Sequence, residues 1–288
     1  MFSSLVKCNG FSESEIFVFV DGPKTEIDAP HVKAVRDFVD GLPFPNIRKV
    51  FREKNMGLRH SIAAGVTSLC NEYGRVIVFE DDFELSPVTL DYFRQALDKY
   101  ADNDRVWNIV AYMYRVPGMR ARKEALVLPF THPWGWATWD RAWRHFELDK
   151  PVPAPVLKSH SFKTFFSLAG LRDYPKMLEM AMNGRVNSWF IQWYYCMFRS
   201  GGVSVFPSQT LIRNTGIQDG THGSSLNPYH RMVPRDELAL EMPRLPDVVA
   251  VDYVALDTLI ASRDAWSQRI IDILGRYKRT LKRMLNMK

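Results

Sequence analysis

Thirteen residues, Arg75 to Pro87, constrain the fold more than any other stretch: Arg-Val-Ile-Val-Phe-Glu-Asp-Asp-Phe-Glu-Leu-Ser-Pro. The apolar run Val76–Phe79 leads directly into three carboxylates, Glu80, Asp81 and Asp82. A short unbroken apolar run reads as a strand buried on both faces, as in the middle of an α/β sheet. The carboxylates then fall at its C-terminal end, the edge where open α/β sheets bind ligands. Adjacent carboxylates repel one another unless a cation or hydrogen-bond donors offset them. Two readings follow: a divalent-metal site serving a phosphorylated substrate, or a polar strand exit with solvated acids.

The flanking sequence repeats a strand–helix rhythm. Ile16–Val20 and Ile47–Phe51 read as strands, and 29–39 and 58–70 as helices with apolar residues on one side. Ser86-Pro87 starts a further helix carrying Leu90, Phe93 and Leu97, and Val106–Val110 is the next strand. Short connections in this order predict a mostly parallel, doubly wound sheet with helices on both faces. Such a sheet normally opens with a strand, yet residues 1–8 read as the end of a helix stopped by Asn9-Gly10, so the first strand is missing from the pattern.

The second half is less regular. Residues 125–130 read as a strand, 137–146 as a helix, 162–182 as a helix broken near Pro175, Asn187 or Ser188 as a cap for a helix through Phe198, and 203–206 as a strand. Residues 214–225 are rich in Gly, Asn, Thr and Ser and read as a loop. The chain divides into a domain over 1–233, with a nucleotide half near 1–115 and an acceptor half near 116–233, and an extension over 234–288. The net charge of +6 lies entirely in 263–288, which carries eight Lys or Arg and two Asp. The body is therefore not a general polyanion binder, and no nucleic-acid partner is expected. Residues 265–287 form a basic amphipathic pattern with Trp266, which fits either a membrane surface or docking on the body. Three widely spaced cysteines give no disulfide framework or zinc pattern, and neither a secretory signal nor a spanning segment is evident. The expected setting is cytoplasmic, peripheral on the inner face of the plasma membrane through the tail.

Several residues have the right chemistry for a phosphorylated ligand. Hard cations take oxygen ligands, often one or two carboxylates plus substrate phosphates. Asp82, nearest the loop, is the best metal candidate, and Glu80 or Asp81 could hold a ribose hydroxyl or a metal-bound water. His222 in Gly-Thr-His-Gly could complete the sphere. Asp21 and Gly22 follow a buried strand, and Arg52, Asn55, Gly57 and Arg59 surround the next strand end, where donors beside a helix start suit phosphate or ribose. Neither a Walker pattern nor a Gly-x-Gly-x-x-Gly is present.

These motifs carry a resemblance. Residues 76–93, with 19–23, 52–57, 134–139, 187–189 and 214–222, resemble in order the segments of N-acetylglucosaminyltransferase I-like enzymes and of bacterial polysaccharide sugar transferases. The resemblance covers roughly 10–225. It implies a GT-A fold and an inverting, metal-dependent transfer of sugar from a nucleotide-sugar, UDP-sugar favoured, to a glycan or lipid-linked acceptor. It implies Mn or Mg as cofactor, Asp82 as direct ligand, Glu80 and Asp81 around ribose and metal water, and Asp21 near the uracil. His222 falls near the pyrophosphate, and Trp134, Trp136 and Trp189 in the donor-sugar and acceptor wall.

Two features depart from that pattern. The first, nucleotide-binding strand is not seen. Where relatives place an Asp as general base, Asn187 and Phe190 stand instead, and neither can take a proton. Asp140 is the substitute candidate. Alternatives are a catalytically impaired nucleotide-sugar-binding or assembly subunit, a nucleotidyltransferase, and a phosphoryl-relay receiver, whose acidic cluster sits nearer the N-terminus.

Overall fold

The computed structural model describes residues 1–116, 118–216 and 238–262. After the short helix α1 (Phe2–Leu5) come β1 (Ile16–Val20), α2 (Ala29–Asp40), β2 (Ile47–Phe51), α3 (Gly57–Tyr73), β3 (Arg75–Val78), β4 (Phe83–Leu85), α4 (Thr89–Lys99) and β5 (Val106–Val110). The second half holds β6 (Leu126–Leu128), β7 (Trp136–Trp139), α5 (Asp140–Trp143), α6 (Ala154–Lys158), α7 (His160–Phe166), α8 (Tyr174–Met182), α9 (Trp189–Arg199), β8 (Val203–Phe206) and β9 (Ile212–Asn214). Residues 253–262 are helical.

The protein is α/β, with a mixed central sheet of five strands in the order β3-β7-β5-β8-β6. β5 and β8 run parallel; β7 is antiparallel to both β3 and β5, and β6 to β8. The expected predominance of parallel pairing therefore holds only locally. The cause lies in 136–139, of which 137–139 read as the start of a helix. The stretch Trp-Ala-Thr-Trp instead inserts between β3 and β5 as a strand, all four residues buried. Its helical continuation is the single turn α5, and the chain beyond Trp143 turns through His145 and Phe146.

β1 and β2 form a parallel pair of their own, and β4 and β9 a small antiparallel ribbon. Among the described residues β1 pairs only with β2, and β3 only with β7. The core gathers around β5, every residue of which is buried, and around α4 and α9. Trp136, Trp143, Trp189 and Trp193 stack or tilt against one another there, with ring centroids 4.8 to 6.4 Å apart. Ser188 caps α9, its hydroxyl accepting from Ile191 N at 3.4 Å. Cys8, Cys70 and Cys196 are free and buried. No helix among the described residues is long and apolar enough to cross a membrane. The basic stretch 265–287 lies outside the described residues.

Candidate metal and nucleotide site at the sheet edge

β3 and β5 each run antiparallel to β7, so their C-terminal ends share one edge. Glu80 to Asp82 leave β3 there. The ribbon of β4 and β9 fixes Asp82: Phe83 pairs with Asn214, and Glu84 with Arg213, whose side chains also form an ion pair. Asn214 Nδ2 donates to Asp82 Oδ2 at 2.8 Å, and Thr215 N and Oγ1 donate to Asp82 O at 2.7 and 2.9 Å. Gly216 lies so close that a Cβ there would sit 2.8 Å from Asp82 Oδ2.

Two oxygens in this cluster are left over. Asp82 Oδ1 and Asn214 Oδ1 are both buried, and neither has a hydrogen-bond partner among the described residues. A buried acceptor without a partner costs about 1–3 kcal/mol. Carboxylate and amide oxygens are the donors that a hard cation prefers. Burial raises the Asp82 pKa, the Asn214 hydrogen bond opposes that rise, and Asp81 adds to it. Burial, with Asp82 and Asp81 beside it, pushes Glu80 up to about 7. Asp81 is exposed. Both rises come first from desolvation, with a neighbouring carboxylate adding to them. Among the described residues no group of three or more His, Cys, Asp or Glu side chains is arranged to hold a metal. The leftover pair is a carboxylate and an amide, and His222 lies outside the described residues.

Asp21 has a different occupation. Its carboxylate accepts from Met56 N at 2.9 and 3.0 Å and from Gly57 N at 2.9 Å, capping α3 from a strand 35 residues earlier. Gly22 is required by the same junction, since a Cβ there would lie 2.5 Å from the Lys54 carbonyl carbon. Asn55 Nδ2 donates to Gly22 O at 2.8 Å. Arg52 turns inward, donating to Ser61 Oγ at 2.7 Å and Ser61 O at 3.2 Å, with its guanidinium 5.4 Å from the Phe19 ring. Arg59 pairs with Asp149 at 2.6 Å. These residues build the loop junction with side chains already engaged.

Asp140 is not brought to this edge. β7 is antiparallel to β3, so the chain crosses from Trp136, opposite Val78, to Trp139, opposite Arg75, before reaching Asp140. Three strand steps are about 10 Å. Asp140 N donates to Gly74 O at 2.8 Å and its carboxylate pairs with Arg144, at the far end of the sheet.

The tryptophans divide as well. Trp136 and Trp189 are 1 % and 3 % exposed and stack on each other with centroids 5.0 Å apart. They are core, since no sugar can reach those faces. Trp134 is half-buried beside Tyr112 and His132, with centroids at 4.7 and 4.9 Å. The Tyr112 and Tyr114 hydroxyls there are buried without a partner among the described residues. Burial drives His132 well below the ordinary histidine range, with Arg172 adding to the effect, so the ring is neutral at pH 7.

No protein-family model and no curated protein matches this chain. The site thus rests on its own geometry. Asn214 is the residue that sequence reasoning passed over. Its position at the head of a Gly-rich loop gave a signal for the loop, but nothing local says that it meets residue 82.

Proposed function

We propose that the chain binds a nucleotide-sugar through a divalent cation, Mn or Mg, and transfers the sugar to a glycan or lipid-linked acceptor on a GT-A-like scaffold. The observation that carries this reading is the pair of leftover buried oxygens, Asp82 Oδ1 and Asn214 Oδ1, at the C-terminal edge of β3. Asp82 and Asn214 would hold the cation, which when bound supplies charge neutralisation to a leaving diphosphate. Glu80 and exposed Asp81 stand beside them for ribose hydroxyls or cation-bound water. Half-buried Trp134 gives an apolar ring face for a sugar.

The position of Asp140 favours a second reading, in which the chain binds the nucleotide-sugar without completing transfer. An inverting transfer needs a group that accepts the acceptor's proton, and Asn187 and Phe190 cannot.

A thermal-shift series with UDP-sugars, with and without manganese, tests binding. Stabilisation of about 2–3 kcal/mol at a hundredfold excess over Kd is expected only when both are present. No stabilisation by any nucleotide-sugar with metal would overturn the reading, and stabilisation without transfer or hydrolysis would select the second.

A further inference from the structure

The segment that precedes α9 carries a positive charge that the rest of the body does not. Residues 151–188 hold five Lys or Arg and two acids, whereas residues 1–262 as a whole carry no net charge. Three of those cations, Lys163, Arg172 and Lys176, line one open groove of about 620 Å³. They come from three places: α7, the connection between α7 and α8, and the first turn of α8. A groove of that volume has the size of a small-molecule site.

The connection fixes Arg172 at the groove. Leu168 and Ala169 both have φ 52° and Gly170 has φ 87°, so three successive residues turn left-handed although two of them carry a Cβ. The turn is closed by its own backbone. Ala169 N donates to Thr164 O at 2.9 Å, Gly170 N to Ser167 Oγ at 2.9 Å, and Arg172 N to Ser167 O at 3.2 Å. Leu168 and Leu171 are buried beside it. Arg172 itself is half-buried and donates to the hydroxyl of buried Tyr174. Its charge also reaches Tyr112 and His132, next to Trp134. The same residue thus lines the groove and engages the buried aromatic cluster.

The remaining lining decides what such a groove selects. Lys163 and Lys176 are exposed, with no ion pair or side-chain hydrogen bond among the described residues. A guanidinium fork and two ammonium groups suit a phosphate, which carries close to two charges as a monoester. Two acids, Asp173 and Glu179, line the same groove and are equally without such partners among the described residues. Carboxylates repel a bare phosphate but accept hydrogen bonds from hydroxyls. Leu157 and Pro175 add an apolar side. Cations, carboxylates and apolar surface together match a ligand that joins a phosphate to a polyhydroxylated ring. We infer that the groove between α7 and α8 binds a phosphate ester of a sugar or sugar-like polyol, with Lys163, Arg172 and Lys176 on the phosphate and Asp173 and Glu179 on ring hydroxyls. The ester is either free or the headgroup of a lipid. The inference uses neither Asp82 nor Asn214 and stands apart from the metal reading.

The test is a calorimetric titration of glucose 1-phosphate into the full chain, in EDTA so that no divalent cation takes part. One saturable site is expected. Inorganic phosphate should bind about tenfold or more weakly, and glucose alone should not bind, since each hydrogen bond to a charged group is worth roughly tenfold or more. The double change Lys163→Ala and Lys176→Ala, at two exposed positions, should weaken glucose 1-phosphate about tenfold or more and leave the unfolding midpoint unchanged. Arg172→Gln should abolish binding; should that variant fail to fold, the lysine pair decides alone. Sedimentation with phosphatidylcholine vesicles, with and without phosphatidylinositol, separates the sources. Capture that needs phosphatidylinositol and is reversed by glucose 1-phosphate assigns the lipid headgroup, and no capture assigns the free ester. The proposal is overturned if glucose 1-phosphate shows no saturable binding at millimolar concentration. It is equally overturned if inorganic phosphate or glucose alone binds as tightly, or if the lysine double variant binds as wild type does.

Discussion

Asn214 donates one hydrogen bond to Asp82 across 132 residues, and each side chain keeps one buried oxygen unused. The pairing of β4 with β9 alone brings them together. A carboxylate held by an amide whose own oxygen is also unpartnered leaves two oxygens of the type that hard cations prefer.

Stability should depend on pH through Glu80. Its folded pKa of about 7 lies above the unfolded value of 4.5, so the folded state holds the proton more tightly. The associated stability is fully present below about pH 4.5 and is lost as pH rises through 7, by an amount on the order of 2–3 kcal/mol. Denaturant unfolding at pH 5 and pH 8 checks this, and Glu80→Gln should flatten the difference.

Asp21→Ala should lower stability by about 1–2 kcal/mol, because the first amides of α3 lose their cap. Unfolding midpoints measure it. An unchanged midpoint would return Asp21 to the ligand.

The tryptophans should separate by burial. Trp136→Ala costs about 3–5 kcal/mol as a large core deletion. Trp134→Ala stays within about 1 kcal/mol and changes sugar binding instead. Thermal unfolding and the thermal-shift series together distinguish them.

Much of this fold is written locally. β1, β2 and β5 have the bounds expected of them, because their β-branched and aromatic residues favour extended backbone even where, as at Arg48 and Lys49 of β2, charged residues interrupt the run. β7 was not legible. Trp136, Trp139 and Trp143 are spaced well enough for a helix, and only the vacancy between β3 and β5 makes 136–139 a strand. Strands of three residues, β4 and β9, are too short to carry a period, so the contact between Asp82 and Asn214 could not be read. The acidic triplet was legible as carboxylates leaving the C-terminal end of β3. Asp21 was legible as a carboxylate at the right edge but not as a helix cap, since its partners lie one crossover away.

Asp140→Asn should leave any sugar transfer unchanged and cost less than about 1 kcal/mol, the worth of its surface pair with Arg144. A large loss of turnover with unchanged donor affinity would contradict its placement at the far end of the sheet.

The most direct measurement is a calorimetric titration of manganese into the wild-type chain and into Asp82→Ala and Asn214→Ala, each checked for folding by circular dichroism. A single site in the wild type, abolished in Asp82→Ala and weakened about tenfold or more in Asn214→Ala, is the predicted result. Equal manganese binding by all three chains would contradict it.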